Sequence, residues 1–432
     1  FEGAMVTLKP FQATGARFLA ERRFALLADE PGLGKTCQAI AAAKIVDARR
    51  ILVICPASVR LNWQHEIKGM AGEYALQHYW KIISYNEATR LSEVTRRDLL
   101  ILDESHFLKN PDASRTQAVF GNANGIARNA KRVWCLTGTP MMNRPAELYP
   151  ILKTLAADKI APYDTWSKYA QRFCGAYFDG RAMDTRGATH LDDLAERLRG
   201  FMLRRRKVDV LPELPPKIVR AMPILISPED RGLIDAEERQ ILDREIYLSP
   251  THEKFSQLGD LARLLRVVGE AKVSAAAGFV MDLLETREKV VVFARHRDVI
   301  AHLYSRFLEN RLLPAVLVGG MTDLEKDIAV RQFVEDPKCR VFIGNWQAAG
   351  VGINGLQKVS DCVVFAELPW VPAEVEQGSD RVHRMGLMEG ATHVDVFLLH
   401  VPGTLESAVL SVQERKNKVI EKLLDDRLQE VW

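Results

Sequence analysis

Long apolar runs, clustered cysteines and a strong excess of one charge are all missing from this chain of 432 residues. No stretch reaches the run of about 18 apolar residues that marks a membrane-spanning helix, and no basic-then-apolar leader is visible. The six cysteines are scattered without a CxxC pair, which favours buried free thiols in a reducing compartment over a zinc site. We therefore expect a protein of the cytoplasm or nucleoid, or of the nucleus in a eukaryote, with no membrane partner.

The composition bounds the class of protein but leaves its partner open. The formal net charge is only +3, and a basic groove can exist behind so balanced a total. Hydrophobic residues make up 47% of the chain and charged residues 27%, as in globular proteins with a sizeable core. At roughly 100–200 residues per domain, the length predicts two to four domains.

Short apolar runs alternate with amphipathic stretches in both outer parts of the chain, and the middle lacks this rhythm. The predicted strands are continuous hydrophobic runs, typical of parallel strands buried on both faces, at residues 25–28, 51–55, 99–102, 133–136, 290–293, 315–318, 341–343 and 363–365. The middle is rich in Leu, Ala, Arg, Glu and Lys and predicts helices, interrupted by LPELPP at 211–216. The pattern predicts an α/β fold class with a parallel-sheet lobe over 1–155, helical protrusions and a linker over 156–285, a second lobe over 286–402 and a terminal helix over 403–432.

The strongest local signal is DEPGLGKT at residues 29–36, between a predicted strand and a helical run. Glycines let backbone N–H groups close around phosphate oxygens, and the helix that follows adds a favourable dipole. The pattern predicts ATP and Mg²⁺ as cofactors, with Lys35 on the β- and γ-phosphates and the Thr36 hydroxyl on magnesium. A plain glycine turn is the alternative, and Asp29 stands where the pattern usually opens with glycine. The predicted nucleotide contacts of the loop are Asp29, Gly32, Leu33, Gly34, Lys35 and Thr36.

A second signal, DESH at 103–106, directly follows a predicted strand. A carboxylate in this place, downstream of a phosphate loop, holds magnesium, in part through water. We therefore predict that Asp103 is the magnesium ligand and that Glu104 polarises the water that attacks the γ-phosphate. Paired acids after a strand can also be an ordinary helix cap, but the phosphate loop upstream favours the catalytic interpretation.

A third signal is QGSDRVHRMG at 377–386. Arg381 and Arg384 are three apart, which predicts that they share one face of a helix. Two guanidinium groups aimed together suit a polyphosphate whose charge grows in the transition state. An isolated Arg-x-x-Arg is more often a solvated basic face. The hypothesis here is that this pair completes the ATP site when the two lobes close.

Together these blocks resemble the Swi/Snf-related family of superfamily-two helicase-like ATPases, over nearly the whole chain. Other blocks that carry the resemblance are LKPFQ at 8–12, ICPASV at 54–59, ISYN at 83–86, LTGTP at 136–140 and FMLRR at 201–205. DESH at 103–106 and VVFAELPW at 363–370 look closest to the annealing-helicase (HARP-like) branch. The resemblance implies two RecA-like parallel-sheet lobes of the P-loop NTPase class, with helical insertions between them.

The resemblance also implies roles for single residues. It implies that Gln12 reads the adenine base, with Gly352 and Gln377 as further ATP contacts. Residues that would couple hydrolysis to DNA are His106, Thr137, Gly138, Thr139 and His383. The implied DNA contacts are Pro56, Ser58, Trp63, Tyr85, Lys109, Arg115, Arg295, Thr322 and Asn345. Trp63 could instead be a packing anchor, and the basic run 204–207 could contact phosphate or only brace the structure.

Three positions depart from the family pattern. Pro31 replaces a methionine, Asn345 opens a block that usually starts with Ser/Thr-Lys, and Leu387 replaces a glutamine. None of them removes a group that hydrolysis needs.

The sequence thus predicts a monomeric DNA-dependent ATPase that moves along double-stranded DNA by contacts to the phosphate backbone, without sequence preference. Single-stranded or forked DNA are the other substrates that such a motor could engage. One alternative is a strand-separating helicase stimulated by single strands. An alternative of another class is a DNA-binding scaffold with a vestigial ATPase, against which the intact catalytic residues argue.

Overall fold

The computed structural model describes residues 8–91, 95–121, 125–141, 144–178, 183–185, 187–247, 253–346 and 353–420. The chain divides into two units, unit 1 of Phe1–Pro212 with Lys416–Trp432 and unit 2 of Glu213–Arg415. Each unit is built on a six-stranded parallel sheet. Among the described residues, none of the helices is long and apolar enough to cross a membrane.

The sheet of unit 1 has the strand order β3-β2-β4-β5-β1-β8. Its strands are β1 (Phe24–Leu27), β2 (Arg50–Cys55), β3 (Tyr79–Ser84), β4 (Arg97–Asp103), β5 (Ala130–Leu136) and β8 (Met202–Leu203), and a separate hairpin consists of β6 (Tyr177–Phe178) and β7 (Met183–Asp184). The helices are α1 (Pro10–Ala20), α2 (Lys35–Ile45), α3 (Arg60–Ala71), α4 (Glu73–Gln77), α5 (Tyr85–Ala88), α6 (Ser114–Phe120), α7 (Tyr149–Leu155), α8 (Ala157–Ile160), α9 (Trp166–Phe173), α10 (Leu191–Leu198) and α11 (Lys207–Val210). Short 3-10 helices cover Ala57–Val59, Ser105–Leu108, Ile126–Asn129 and Pro145–Leu148.

The register of unit 1 brings its three signature loops to one edge of the sheet. Leu27 at the end of β1 and Asp103 at the end of β4 both pair with Leu136 at the end of β5. Residues 28–36, 104–106 and 137–140 therefore leave the sheet side by side. Because ligands of parallel α/β sheets bind at the carboxyl ends of the strands, this edge is where a site is expected.

The sheet of unit 2 has the order β11-β12-β10-β13-β14-β9. Its strands are β9 (Lys217–Pro223), β10 (Val290–Ala294), β11 (Ala315–Leu317), β12 (Val341–Asn345), β13 (Cys362–Phe365) and β14 (Val394–His400). The helices are α12 (Pro228–Tyr247), α13 (Glu253–Ala271), α14 (Val273–Leu283), α15 (Arg297–Glu309), α16 (Asp323–Glu335) and α17 (Pro372–Ser379), with a 3-10 helix at Leu356–Lys358. A last helix, α18 (Leu405–Ile420), begins in unit 2 and ends beyond its boundary at Arg415. Ala294 pairs with Asn345 and Phe293 pairs with Phe365, so the loops after β10, β12 and β13 share one edge.

The predicted fold class is confirmed, and all eight predicted strands lie within or overlap observed ones. Apolar side chains of these strands fill the interior of each sheet, where Leu26, Ile54, Val292 and Val364 are fully buried. The continuous hydrophobic pattern was informative because both faces of a central parallel strand are covered.

The middle of the chain is not purely helical as predicted. It supplies one edge strand to each sheet: β8 pairs with β1, and β9 pairs with β14. β8 is only two residues long, and Lys217 and Arg220 interrupt the apolar pattern of β9. Edge strands tolerate charged and exposed side chains, so a search for continuous apolar runs misses them. The division between the units, at Pro212, also falls within this segment.

Candidate functional site

The loop between β1 and α2 has the backbone geometry of a phosphate-binding loop. Gly32 and Gly34 have φ angles of 88° and 74°, which glycine adopts without strain. Gly34 is the N-cap of α2, so the loop lies at the positive end of the helix dipole, where an anion is stabilised. A Cβ at position 34 would also lie 2.5 Å from Nε2 of Gln12. Glycine is therefore required there for both the backbone angle and the space.

Lys35 and Thr36 form the first turn of α2, as the sequence predicted. The Lys35 ammonium donates to the carbonyl oxygens of Asp29 at 2.7 Å and Glu30 at 3.3 Å, so it lies over the loop. Anionic phosphate oxygens are stronger acceptors than these neutral carbonyl groups. Gln12 supports the loop from outside: its Nε2 donates to the Leu33 carbonyl at 3.3 Å, while its Oε1 accepts from the backbone N–H of Lys9.

The carboxylate of Asp29 is fully buried on the far side of the loop. It accepts from Arg205, with Nε at 3.0 Å and Nη2 at 2.5 Å, and from Nε2 of Gln38 at 3.1 Å. Arg205 also donates to the Phe11 carbonyl and to Oε1 of Gln38. As a side-chain contact to nucleotide, the prediction for Asp29 is wrong, because both its oxygens already serve this buried ion pair.

A second arginine joins the phosphate loop to the block 137–139. Arg204 donates from Nη1 to the carbonyl oxygens of Ala28 at 3.1 Å and Gly138 at 3.3 Å. The two segments approach so closely that a Cβ on Gly138 would lie 2.6 Å from Cγ of Pro31. The basic run 204–207 was predicted either to contact phosphate or only to brace the structure. Arg204 and Arg205 brace it. The sequence signals for them were the block FMLRR at 201–205 and the basic run 204–207.

Asp103 ends β4 and is only 9% exposed. Its Oδ2 accepts from the indole N–H of Trp63 at 2.7 Å, and its Oδ1 accepts from the backbone N–H of Glu104 at 3.0 Å. Burial, and next the charge of Glu104, raise the pKa of Asp103 to about 6, against the opposing effects of the Trp63 hydrogen bond and the Lys35 charge. A buried carboxylate beside a second acid gains from a divalent cation.

The donor set around Asp103 fits magnesium. Mg²⁺ prefers oxygen ligands, usually one or two carboxylates together with phosphate oxygens and water, and Thr36 supplies a hydroxyl at the neighbouring loop. Within the described part of the chain, no group of three or more His, Cys, Asp or Glu side chains could hold a metal by itself. The magnesium expected here therefore takes most of its ligands from phosphate and water.

Glu104 is linked to the block after β5 through a histidine. Glu104 has a φ of 49°, an unusual angle for a residue other than glycine and one found at functional sites. Its Oε2 lies 3.2 Å from Nδ1 of His106. The same ring nitrogen lies 3.0 Å from the Thr137 hydroxyl and 3.5 Å from that of Thr139. The structure thus brings together the predicted catalytic acid and three of the residues predicted to couple hydrolysis to DNA.

Two of the predicted DNA contacts in unit 1 are buried. Trp63 is 0% exposed and Tyr85 is 4% exposed. Trp63 donates to the Asp103 carboxylate, and the Tyr85 hydroxyl donates to the Asp103 carbonyl oxygen at 2.8 Å. As direct DNA contacts these predictions are wrong, since neither ring has a face open to a nucleotide.

The other predicted DNA contacts of unit 1 have different surroundings. Pro56 is buried before the 3-10 helix Ala57–Val59, and the Ser58 side chain lies outside the described part of the chain. Lys109 and Arg115 are half-buried. Lys109 approaches Glu147 at 3.5 Å, and Arg115 donates to the Phe107 carbonyl at 2.7 Å. Each of the two side chains is therefore held by a contact within unit 1.

In unit 2 the predicted arginine pair follows α17 rather than lying on it. The helix ends at Ser379, and the backbone N–H groups of Arg381 and Val382 bond three residues back, as in tight turns. The prediction of one shared helix face is therefore wrong. The pair nevertheless converges, because Arg381 Nη1 donates to the Ile353 carbonyl at 3.4 Å and Arg384 Nη1 donates to Oδ1 of Asn354 at 2.6 Å.

Two neighbours of the arginine pair, Gln377 and His383, also have defined contacts. The Gln377 carbonyl accepts from Nε of Arg381 at 3.2 Å, and Nε2 of His383 lies 2.8 Å from the Pro215 carbonyl. His383 is therefore anchored to the segment that precedes β9. The predicted ATP contact Gly352 lies outside the described residues.

The predicted DNA contacts of unit 2 lie near the carboxyl edge of its sheet. Asn345 donates from Nδ2 to the Arg295 carbonyl at 2.5 Å. Thr322 is the N-cap of α16, and its hydroxyl both accepts from the Glu325 N–H and donates to the Glu325 carboxylate. Glu367 was not among the predicted site residues, yet its buried carboxylate accepts from the backbone N–H groups of Arg295 at 2.7 Å and of His296.

Comparisons with known proteins agree with this geometry. Residues 11–98 and 81–268 match the SNF2-related domain, and residues 273–386 match the helicase conserved C-terminal domain. The chain is 32% identical, over 97% of its length, to the DNA annealing helicase and endonuclease ZRANB3 of Bos taurus. It is 31% identical, over 96% of its length, to the SWI/SNF-related matrix-associated actin-dependent regulator of chromatin subfamily A-like protein 1 of Xenopus tropicalis. The resemblance inferred from the sequence is confirmed.

The chain spans less than half of these relatives, 41% of the first and 44% of the second. Among solved structures, it is similar to the Sulfolobus solfataricus SWI2/SNF2 ATPase core in complex with dsDNA. That likeness has 21% identity and a TM-score of 0.44, and it covers 97% of this chain and 94% of the other.

Proposed function

We propose, since this chain belongs to the SNF2-related family of helicase-like ATPases, that it couples ATP hydrolysis to translocation on double-stranded DNA. The observation that carries the proposal is the meeting of the phosphate loop, the acid pair and the block 137–139 at one edge of the unit 1 sheet. Glu104, His106 and Thr137 form a continuous chain of contacts there. A hydrolytic site linked in this way can respond to what the neighbouring loops bind.

In the proposed reaction the residues of unit 1 have separate tasks. The Lys35 ammonium exchanges its two carbonyl partners for β- and γ-phosphate oxygens. Thr36 and Asp103 hold magnesium, which when bound neutralises phosphate charge. Glu104 accepts a hydrogen bond from the attacking water and orients it for in-line displacement at the γ-phosphate. His106 orients the Glu104 carboxylate, and because it also contacts the Thr137 hydroxyl, a shift of Glu104 during hydrolysis would move Thr137.

In unit 2, the proposed task of Arg381 and Arg384 is to stabilise the negative charge that grows on the phosphates during transfer. A guanidinium group is planar, always charged and rich in donors, so it suits this task better than an ammonium. Because both arginines bind residues 353–354, a change in that segment alters both of them. Arg381→Lys and Arg384→Lys are expected to lower turnover more than they weaken ATP binding.

The finer part of the proposal is that the protein prefers double-stranded DNA as the substrate along which it moves. The relatives of 32% and 31% identity are named a DNA annealing helicase and endonuclease and a regulator of chromatin, and we carry DNA as the partner over to this chain. We expect binding through phosphate contacts, so affinity should be independent of sequence and fall steeply with salt. The alternatives remain a strand-separating helicase and a scaffold without turnover.

The test is steady-state ATP hydrolysis with no nucleic acid, single-stranded DNA, double-stranded DNA or RNA. Strong stimulation by duplex DNA, lost in Glu104→Gln, supports the proposal. A triplex-displacement assay then asks whether the enzyme moves along an intact duplex. Stimulation by single strands alone, with displacement of a tailed duplex, would favour the strand-separating helicase. Turnover that is absent or indifferent to nucleic acid would leave the scaffold.

A further inference from the structure

Two buried aromatic residues reach Asp103 from two different blocks of unit 1. Trp63 lies on α3, which directly follows the 3-10 helix Ala57–Val59. Tyr85 begins α5, which directly follows β3. Both blocks, 54–59 and 83–86, were assigned to DNA by the family resemblance, yet the aromatic residues associated with them face the interior.

Trp63 makes the most direct of these contacts. Its indole N–H donates to Oδ2 of Asp103 at 2.7 Å, while Oδ1 accepts from the backbone of Glu104. The two bonds fix the rotation of the carboxylate, so a movement of α3 changes the orientation of the group proposed to hold magnesium. Trp63 is fully buried, so water cannot replace Asp103 as the hydrogen-bond partner of its indole N–H.

Tyr85 holds the same residue by its backbone. Its hydroxyl donates to the Asp103 carbonyl oxygen at 2.8 Å, and its ring stacks on Phe107 with the centroids 5.7 Å apart. Phe107 lies in the 3-10 helix Ser105–Leu108, next to His106. Tyr85 therefore contacts both the carbonyl of Asp103 and the segment that follows the acid pair.

We infer that Trp63 and Tyr85 are positioning residues that transmit DNA contact at the segments 56–59 and 83–86 to Asp103 and the residues that follow it, 104–106. Each acts through a single hydrogen bond to Asp103, one to the side chain and one to the main chain. The inference rests on the proposed function, because it presupposes hydrolysis stimulated by DNA. It replaces nucleotide stacking, which the burial of both rings excludes, with an internal role.

The test compares variants that remove one polar group with matched controls on β3 of the same unit. Trp63→Phe removes the indole N–H, and Tyr85→Phe removes the hydroxyl. Trp80→Phe is the tryptophan control, since the Trp80 indole N–H has no hydrogen-bond partner in the described structure. Tyr79→Phe is the tyrosine control, since Tyr79 is 56% exposed.

The first readout is the stimulation ratio, the turnover with duplex DNA divided by the turnover without it. We expect about a tenfold fall for Trp63→Phe, as for one hydrogen bond to a charged group, and about a threefold fall for Tyr85→Phe. Neither control should change the ratio. The second readout is binding of a fluorescent ATP analogue. Trp63→Phe should raise the Mg²⁺ concentration needed for half-maximal binding, while binding in EDTA stays as in the unchanged protein.

Each outcome bears on a different statement. If the unchanged protein shows no stimulation by DNA, the proposed function fails before the inference is reached. If it is stimulated and both variants keep its ratio, the inference is wrong. Equal loss of turnover with and without DNA would also overturn it, because the residues would then serve the metal site alone. Should Trp63→Phe fail to fold in a thermal melt, Tyr85→Phe decides, since it removes only one oxygen atom.

Discussion

Two consecutive arginines, Arg205 and Arg206, provide a sharp test of how burial sets the energy of an ion pair. Arg205 pairs with Asp29, whose side chain is fully buried, at 2.5 Å. Arg206 pairs with Asp209 at 3.1 Å, with 35% of each side chain exposed. Arg205→Met would leave the Asp29 carboxylate in the interior with the Gln38 amide as its remaining described partner.

The expected cost follows from the desolvation of that carboxylate. Removing one partner of a buried pair costs about 3–5 kcal/mol, whereas a pair at the surface contributes about 0–1 kcal/mol. For a unit of this size, each kcal/mol lowers the melting temperature by about 2–4 °C. Arg205→Met should therefore lower the melting temperature of unit 1 by about 6–20 °C, and Arg206→Met by no more than about 4 °C.

Differential scanning calorimetry without nucleotide or metal measures both shifts, and a chain of two units can show two transitions. The double variant Arg205→Met with Asp29→Asn should recover part of the loss, because it removes the uncompensated charge. Equal shifts for Arg205→Met and Arg206→Met would show that burial does not set the energy of these ion pairs. So would an Arg205→Met shift that corresponds to less than about 1 kcal/mol.

Three further predictions concern single side chains. Burial raises the pKa of Asp103 from 3.8 to about 6, so the stability associated with its protonated form is complete below pH 3.8 and lost as the pH rises through 6. Asp103→Asn should accordingly stabilise the metal-free protein at pH 8, on the order of 3 kcal/mol, by less at pH 5, and very little below pH 3.8; thermal melts in EDTA that shift equally at about pH 3.5 and pH 8 would contradict this. Thr322→Ala removes the cap of α16 and should cost unit 2 about 1 kcal/mol in urea unfolding, whereas a residue that serves DNA alone would lower affinity without this loss. Burial, and next Glu66, raise the pKa of Cys37 to about 12, so iodoacetamide should label it slowly at pH 8 and faster in Glu66→Gln; labelling at the rate of free cysteine would show this assignment to be mistaken.

The central strands and the loops after them could be predicted from the amino-acid sequence. Residues 51–55 and 99–102 could be assigned because a strand buried on both faces needs an unbroken apolar run. Gly34 and Asp103 could be assigned because each requirement is local: a positive φ angle before a helix, and a carboxylate where a buried strand ends. Chemistry of this kind depends on neighbours within a few residues, which the sequence displays directly.

The partners and the burial of individual side chains could not be predicted in this way, because they depend on the folded chain. Arg205 finds Asp29 across 176 residues of sequence, while the adjacent Arg206 stays near the surface, although the two have the same side chain. Trp63 was predicted at DNA and lies instead against Asp103. The energy of a charged or aromatic side chain depends on whether water or a distant residue surrounds it, and chain folding alone brings those residues together.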